Sequence, residues 1–160
     1  MLIEAAERFT AKRRKKNVLG HTVTFAVMAP WGEVLTVFQP SHPNGPKRKL
    51  PSESHESGEN RFDTLRRGLK EELGIELSIE RVREVAIQLW NEGFREDGSY
   101  RSIFFLLRLT ESEFNAHKYV GDEDGETLLV SRTRIRELLC MEQHLDKQEE
   151  YFKFLQKFAK

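Results

Sequence analysis

Apolar residues in the middle of the chain recur at intervals of three and four, which is the spacing of one helix face. They are Phe62, Leu65, Leu69 and Leu73. Asn60 is a suitable N-cap before this pattern, and Gly74 is the residue expected just after its C-terminal end. The sequence therefore predicts a helix from about Asn60 to Leu73.

Runs rich in β-branched and aromatic residues predict strands on both sides of this helix. Before it, residues 22–39 contain two such runs around Pro30-Trp31-Gly32, a turn sequence that predicts a hairpin. After it, strand-like runs occupy residues 82–90 and 103–109. Residues 40–60 are polar and are predicted to be irregular, and an acidic loop is predicted at residues 121–126.

Three further helices are predicted, at residues 2–9, at residues 135–139 and near the C-terminus. The last of these carries Leu145, Phe152, Leu155 and Phe158. Strands before and after a central helix, with helices at both ends, indicate an α/β or α+β sandwich in which helices cover a sheet. We expect residues 1–160 to form a single domain with a core over about residues 20–140.

Composition indicates a soluble globular protein, with 38% hydrophobic and 32% charged residues among 160. Acidic and basic residues balance at 26 each, so net charge favours neither nucleic acid nor a membrane surface as a partner. The basic run at residues 12–16 is interpreted as a solvated terminus. A single cysteine, Cys140, and the lack of a signal-peptide pattern or of ~20 consecutive apolar residues favour a cytoplasmic location.

Two adjacent carboxylates, Glu71 and Glu72, lie near the end of the predicted helix. Residues three and four apart share a helix face, so both are neighbours of position 68, and Arg67 precedes Glu71 by one turn. Such a pair suits a hard cation such as Mg²⁺, which takes oxygen ligands and is often completed by substrate phosphates. A solvated helix face is the alternative reading.

Residues 53–75 resemble the Nudix box, G-x5-E-x7-R-E-U-x-E-E-x-G-U, where U is a bulky aliphatic residue. Seven of its nine specified positions match, namely Glu59, Arg67, Leu69, Glu71, Glu72, Gly74 and Ile75. The resemblance implies an α/β fold, a Nudix-type α/β/α sandwich with a mixed central sheet. It also implies a Mg²⁺- or Mn²⁺-dependent hydrolase that cleaves a diphosphate linkage in a nucleoside diphosphate derivative.

The resemblance also implies roles for individual residues. Glu71 and Glu72 would be catalytic metal ligands, while Arg67 and Glu59 would form an ion pair that orients the loop before the helix. In the family a further glutamate often comes from the loop or strand after the box, which nominates Glu123 or Glu126 as the additional metal ligand.

Two departures from the box concern the metal site. Glu53 stands where the box begins with glycine, and Ser52 replaces the other glycine of the family's preceding pair. Gly68 stands where the family has a third metal-binding glutamate on the helix. Water, substrate phosphates or another carboxylate could replace that ligand, the candidates being Glu53, Glu56, Asp122, Glu123, Asp124 and Glu126. The alternative is a catalytically impaired nucleotide-binding or sensor domain.

Substrate contacts are predicted from residue type. Arg48 and Lys49 lead into the box and could face phosphate groups, and Phe94 and Tyr100 could stack on a base. His55 is expected to be an exposed loop residue. A kinship with isopentenyl-diphosphate isomerases is disfavoured, because the cysteine expected before His55 and the E-x-E pair expected near residues 99–105 are missing. The expected partner is a small nucleotide-type molecule, without membrane or nucleic acid. Dimers are common among proteins of this kind, so a homodimer stays open.

Overall fold

The computed structural model describes residues 21–40, 48–93, 101–123, 125–140 and 148–158. The helix predicted at residues 2–9, the stacking candidates Phe94 and Tyr100, and Asp124 lie outside these ranges. Among the helices that the structure describes, none has both the length and the apolar character needed to cross a membrane.

Eight strands and five helices make up the described part of the chain. The strands are β1 (His21–Met28), β2 (Glu33–Phe38), β3 (Arg48–Lys49), β4 (Ser52–Ser54), β5 (Ala86–Gly93), β6 (Arg101–Arg108), β7 (Val120–Glu123) and β8 (Glu126–Arg134). The helices are α1 (Arg61–Leu73), α2 (Ile79–Val85), α3 (Glu111–Asn115), α4 (Ile135–Cys140) and α5 (Gln148–Gln156).

All eight strands join one mixed sheet with the order β5-β6-β1-β2-β8-β7. Strand β1 pairs in parallel with β6, whereas its pairing with β2 is antiparallel. The short strands add to the middle of the sheet, where β4 pairs with β1 at residues 22–24 and β3 pairs with β2 at residues 37–38. Strands β1 and β2 pair directly only next to their turn, at Met28 and Val34. Farther from the turn, residues 48–54 pair with both strands.

Helix α1 begins and ends as its sequence predicts. The Asn60 side chain accepts hydrogen bonds from the backbone N–H groups of Phe62 and Asp63, and the Asp63 carboxylate accepts one from the N–H of Asn60. This reciprocal capping box satisfies donors that the first turn would otherwise leave unpaired. At the other end Gly74 adopts the left-handed conformation, with φ of 70°, and closes the helix.

The two faces of the sheet carry separate apolar layers, because side chains alternate along each strand. On β1, residues Val23, Phe25 and Val27 face the layer under α1, while Ala26 and Met28 face the layer under α4 and α5. Leu65, Leu69 and Leu73 of α1 are fully buried in the first layer. The predicted sandwich of helices on both sides of a sheet is therefore confirmed.

Three local predictions are wrong. Residues 82–85, predicted as strand, belong to helix α2, whose N-cap Ser78 accepts a hydrogen bond from the N–H of Arg81. Residues 52–54, predicted as irregular, form β4, and the predicted acidic loop is largely the β7–β8 hairpin. Strand pairing decides both segments: β4 pairs with the distant strand β1, whereas β7 pairs with β8, the next strand along the chain.

The remaining elements follow the predictions closely. The hairpin around Trp31, the strand in residues 103–109, the short helix in residues 135–139 and the last helix are confirmed as β1–β2, β6, α4 and α5. Helix α3 was not predicted, although Thr110 and Glu113 form a capping box at its start.

Candidate functional site

Arg67 on α1 organises the loop that precedes the helix. Its Nε and Nη2 atoms donate to the two carboxylate oxygens of Glu59, both at 2.9 Å, and Nη2 also donates to the carbonyl oxygen of Ser54 at 2.6 Å. Paired hydrogen bonds of this kind fix the planar guanidinium in orientation as well as in position. The structure thus places Arg67 and Glu59 together in the predicted ion pair.

The Glu59 carboxylate accepts two further hydrogen bonds, from the backbone N–H of Glu56 at 2.9 Å and from the Thr64 hydroxyl at 3.1 Å. Burial by itself raises the pKa of Glu59, but the hydrogen bonds from Arg67 and the Glu56 N–H more than offset it, so the pKa lies below its ordinary value. His55 is fully buried rather than exposed, and its Nε2 donates to the Glu59 carbonyl. The predicted exposure of His55 is therefore wrong.

Arg67 also approaches other carboxylates through its Nη1 atom, which is buried. Its Nη1 atom lies 2.9 Å from Oε1 of Glu53 on β4, 3.6 Å from Glu56 and 3.5 Å from Glu71. Glu53 is only 4% exposed, whereas the Glu71 side chain is 37% exposed. One arginine thus gathers carboxylates from the strand, the loop and the helix.

Glu72 points from α1 into the interior and is fully buried. Neither of its carboxylate oxygens has a hydrogen-bond partner of normal geometry among the described residues. Burial raises the pKa of Glu72 well above its ordinary value, and the negative charges of Glu123 and Glu53 raise it further. The charge of Lys49 and the backbone N–H of Ser52 act in the opposite direction without cancelling the rise. Glu53 and Glu123 are thus the two acidic residues whose charges act on Glu72, and we call Glu53, Glu72 and Glu123 the carboxylate cluster.

A close approach of β7 to the end of α1 brings Glu123 into this cluster. The backbone N–H of Lys118 donates to the carbonyl oxygen of Leu73 at 2.8 Å. A Cβ atom at Gly121 would lie 1.9 Å from the carbonyl oxygen of Glu72, a distance that no side chain could tolerate. The glycine therefore permits the contact between strand and helix, and it has no recognisable signal in the sequence.

Glu123 and Glu126, the two candidates for the additional metal ligand, lie opposite each other in the β7–β8 hairpin. Of the two, Glu123 is the one whose charge raises the pKa of Glu72. Its Oε2 atom lies 3.6 Å from Nζ of Lys49.

The adjacent residues Arg48 and Lys49 point to opposite faces of the sheet, as neighbours on a strand do. Lys49 is 5% exposed and lies on the α1 side beside Glu123. Arg48 donates from Nη1 to the Thr36 hydroxyl at 3.5 Å, on the side covered by α4 and α5. The structure therefore brings Lys49 to the carboxylates and places Arg48 on the other face of the sheet. Contact of either side chain with a substrate phosphate stays a prediction.

The donor set of the carboxylate cluster fits a hard divalent cation, because carboxylate oxygens are the ligands that Mg²⁺ and Mn²⁺ prefer. Within the described ranges no three acidic, histidine or cysteine side chains are already arranged as metal ligands. A cleft of about 750 Å³ lies beside α1 and is lined by Arg66, Lys70 and Glu71, among others, but not by Glu72 or Glu123. The cluster does not line this cleft, and a cation there would require side-chain movements of Glu53, Glu72 and Glu123.

No protein-family model matches the sequence, and no curated protein matches it significantly. Solved structures do match. A MutT protein from Aliivibrio salmonicida or Vibrio cholerae is 18% identical, with a TM-score of 0.58, over 84% of this chain and 94% of that one. The NUDIX domain of Shewanella oneidensis NrtR, solved with ADP ribose, is 16% identical with a TM-score of 0.62, over 95% of this chain and 97% of that one.

A third solved structure is a bifunctional NMN adenylyltransferase/ADP ribose pyrophosphatase from Francisella tularensis, in complex with AMP and a Mn ion. It is 19% identical with a TM-score of 0.63, and this chain covers 46% of its length while 98% of this chain is matched. These likenesses concern the fold. The chain has the Nudix fold, the α/β/α sandwich with a mixed sheet that the resemblance implied.

Proposed function

We propose, from the Nudix fold and from the carboxylates gathered beside α1, that this chain is a divalent-cation-dependent hydrolase. Its substrate would be a nucleoside diphosphate derivative, cleaved at the phosphoanhydride bond. The observation that carries the proposal is Glu72, a fully buried carboxylate whose oxygens lack hydrogen bonds of normal geometry among the described residues and on which the charges of Glu53 and Glu123 act. Like charges in a buried position are costly unless a cation compensates them.

Glu72 and Glu123 would hold Mg²⁺ or Mn²⁺, with Glu71 at the exposed edge of the same helix face. When bound, the cation would lower the pKa of a water molecule and neutralise charge on the diphosphate. Lys49 adds a fixed positive charge beside Glu123 that suits a phosphate oxygen. Arg67 holds the loop of Glu59 against α1 and so keeps the site in shape.

The two neighbours solved with or named for ADP ribose make that molecule the first substrate to test. It is a diphosphate that joins two ribose-containing groups, so it contains the bond class that we propose. Phe94 and Tyr100, the candidates for stacking on its base, lie outside the described residues.

A second candidate function is a nucleotide-binding or sensor domain with little turnover. Two observations favour it. Gly68 provides no carboxylate on the helix, and the Lys49 ammonium group, 3.6 Å from Glu123, already supplies a positive charge at the cluster. A site neutralised by lysine has less need of a cation and could bind a phosphorylated ligand without activating water.

The deciding experiment measures phosphate or nucleotide release from ADP ribose and a panel of nucleoside diphosphate derivatives, with Mg²⁺ or Mn²⁺. The matched variants are Glu72→Gln, which removes the buried charge, and Arg48→Gln, which removes a charge on the opposite face of the sheet. Release by the wild type and by Arg48→Gln, abolished in Glu72→Gln, would support the hydrolase. No release from any compound, together with thermal stabilisation by one of them, would support the sensor.

A further inference from the structure

Gly68 lies where α1 crosses β1 and β4, and there is no room for a side chain at this position. A Cβ atom on residue 68 would lie 2.9 Å from Cε1 of Phe25 and 3.0 Å from Cβ of Glu53. Phe25 is fully buried and Glu53 is on a paired strand, so neither can move away easily. A glycine inside a helix costs ~1 kcal/mol relative to alanine, and this packing gives it a reason to be there.

The space beside Gly68 is taken by Glu53. Its side chain is buried, and its Oε1 atom lies 2.9 Å from Nη1 of Arg67, the residue that precedes Gly68. Its charge also acts on the Glu72 carboxylate, one turn further along the helix. Strand β4 therefore brings a carboxylate to the helix surface at the position where α1 has none.

We propose that Glu53 supplies to the cation site the carboxylate that α1 lacks at Gly68, so that a glutamate and a glycine have exchanged places relative to the Nudix box. In the box pattern glycine stands at position 53 and glutamate at position 68, and this chain has the reverse. The 3.0 Å separation of the two Cβ positions is tighter than almost all real Cβ contacts, so side chains at both positions would press against each other. The inference rests on the proposed cation-dependent function.

The burial and the hydrogen bonding of Glu72 support a cation at this cluster independently of the position of Glu53. Glu72 is fully buried, and its oxygens lack hydrogen bonds of normal geometry in the part of the chain that the structure describes. A carboxylate in that state, facing Glu53 and Glu123, indicates a cation as the absent partner. The rival explanation is that Glu53 serves only to pair with Arg67.

The first experiment measures Mn²⁺ affinity by electron paramagnetic resonance or calorimetry for the full chain and for two variants. Glu53→Gln removes the proposed ligand charge. Glu56, which the sequence also nominated as a ligand, lies 3.6 Å from Nη1 of Arg67 but has a side chain that is 42% exposed, whereas Glu53 is buried. Glu56→Gln is therefore the matched control for the loss of a carboxylate beside Arg67. We expect Glu53→Gln to weaken Mn²⁺ binding at least about tenfold and Glu56→Gln to change it less than about twofold.

The second experiment tests the exchange itself. Gly68→Glu alone adds a side chain against Glu53 and should lower the melting temperature. The double variant Glu53→Gly, Gly68→Glu restores the box arrangement, and it should recover part of that loss and retain Mn²⁺ affinity within about tenfold of the wild type. The contact with the Phe25 ring is the same in both, so the difference between them reports on residue 53.

The outcomes separate the two proposals. If the wild type binds no Mn²⁺, the proposed function and the exchange both fail. If Mn²⁺ binding is lost in Glu72→Gln but unchanged in Glu53→Gln, the exchange alone is wrong and Glu53 is only the partner of Arg67. If Glu53→Gln does not fold, the double variant decides, since its failure to bind Mn²⁺ would overturn the exchange.

Discussion

Replacing Glu72 by glutamine should stabilise the metal-free protein while abolishing its response to divalent cations. The wild-type carboxylate is fully buried, faces two other carboxylates, and lacks hydrogen bonds of normal geometry to any described residue. Glutamine has the same shape and carries no charge. A residue that lowers the stability of the ligand-free protein is expected to have a function in the ligand-bound protein.

The expected magnitude follows from the burial of the group. An unsatisfied buried group costs about 1–3 kcal/mol when it is neutral and more when it is charged. Glu72→Gln removes only the charge, so it should raise the free energy of unfolding by about 1 kcal/mol or more in the presence of a chelator. For a chain of this length that corresponds to a melting temperature higher by about 2–4 °C for each kcal/mol. At a cation concentration about 100 times the dissociation constant, binding should raise the free energy of unfolding of the wild type by about 2.7 kcal/mol and should leave that of the variant unchanged.

The advantage of the variant should also depend on pH. Because the pKa of Glu72 is raised in the folded state, the folded protein binds more protons than the unfolded chain at pH values above the ordinary value of 4.5. The free energy of unfolding of the wild type therefore falls as pH rises from 4.5 toward the raised pKa. The difference between Glu72→Gln and the wild type should shrink at acidic pH, where Glu72 is protonated.

Urea denaturation with a chelator and with Mn²⁺, at several pH values, measures all three effects. Glu71→Gln is the control for the metal-free state, because this neighbouring side chain is 37% exposed and its charge should matter by less than about 1 kcal/mol. The reasoning is refuted if Glu72→Gln destabilises the metal-free protein, or if Mn²⁺ stabilises wild type and variant equally.

Three further predictions concern stability, each measured by urea denaturation. Arg67→Met should lower the free energy of unfolding by about 3–5 kcal/mol, because it leaves the buried Glu53 and the partly buried Glu59 without their charged partner, and a loss below about 1 kcal/mol would contradict this role. Gly121→Ala should cost at least about 1–3 kcal/mol, since its Cβ would lie 1.9 Å from a carbonyl oxygen of α1, and a neutral effect would contradict the close approach. The Arg81 hydrogen bond lowers the pKa of Glu113 to about 2. The ionised Glu113 should therefore stabilise the folded state fully above the ordinary value of 4.5, and this contribution should be lost as pH falls toward 2. Glu113→Gln should therefore lose less stability than the wild type on acidification, and parallel pH profiles would contradict this.

Local signals allowed the central helix and its ion pair to be predicted. The apolar spacing, the Asn60 cap and Gly74 act within a few residues of each other, so α1 follows directly from the sequence. The pair of Arg67 with Glu59 was implied by the resemblance, and the structure places the two side chains in contact. Such features depend on short-range geometry that a sequence pattern encodes completely.

Predictions failed where long-range packing or strand pairing competed with local preference. The β-branched residues before Ala86 suggested a strand, but the Ser78 cap and the burial of Val82 against the layer under α1 make that segment a helix. Adjacency in sequence also did not reveal that Arg48 and Lys49 point to opposite faces of the sheet, which only the strand pairing decides.

The sequence by itself determined the helix that carries Glu71 and Glu72, the alternation that gives the sheet two apolar faces, and the departures from the box at positions 53 and 68. Only the tertiary structure decided which distant carboxylates meet Glu72. Strand β4 brings Glu53 to Gly68, and Gly121 lets β7 bring Glu123 to the end of α1. These contacts join residues far apart in the chain, and their closeness depends on how strands pair and on where glycine leaves room for a neighbour, neither of which a local pattern contains.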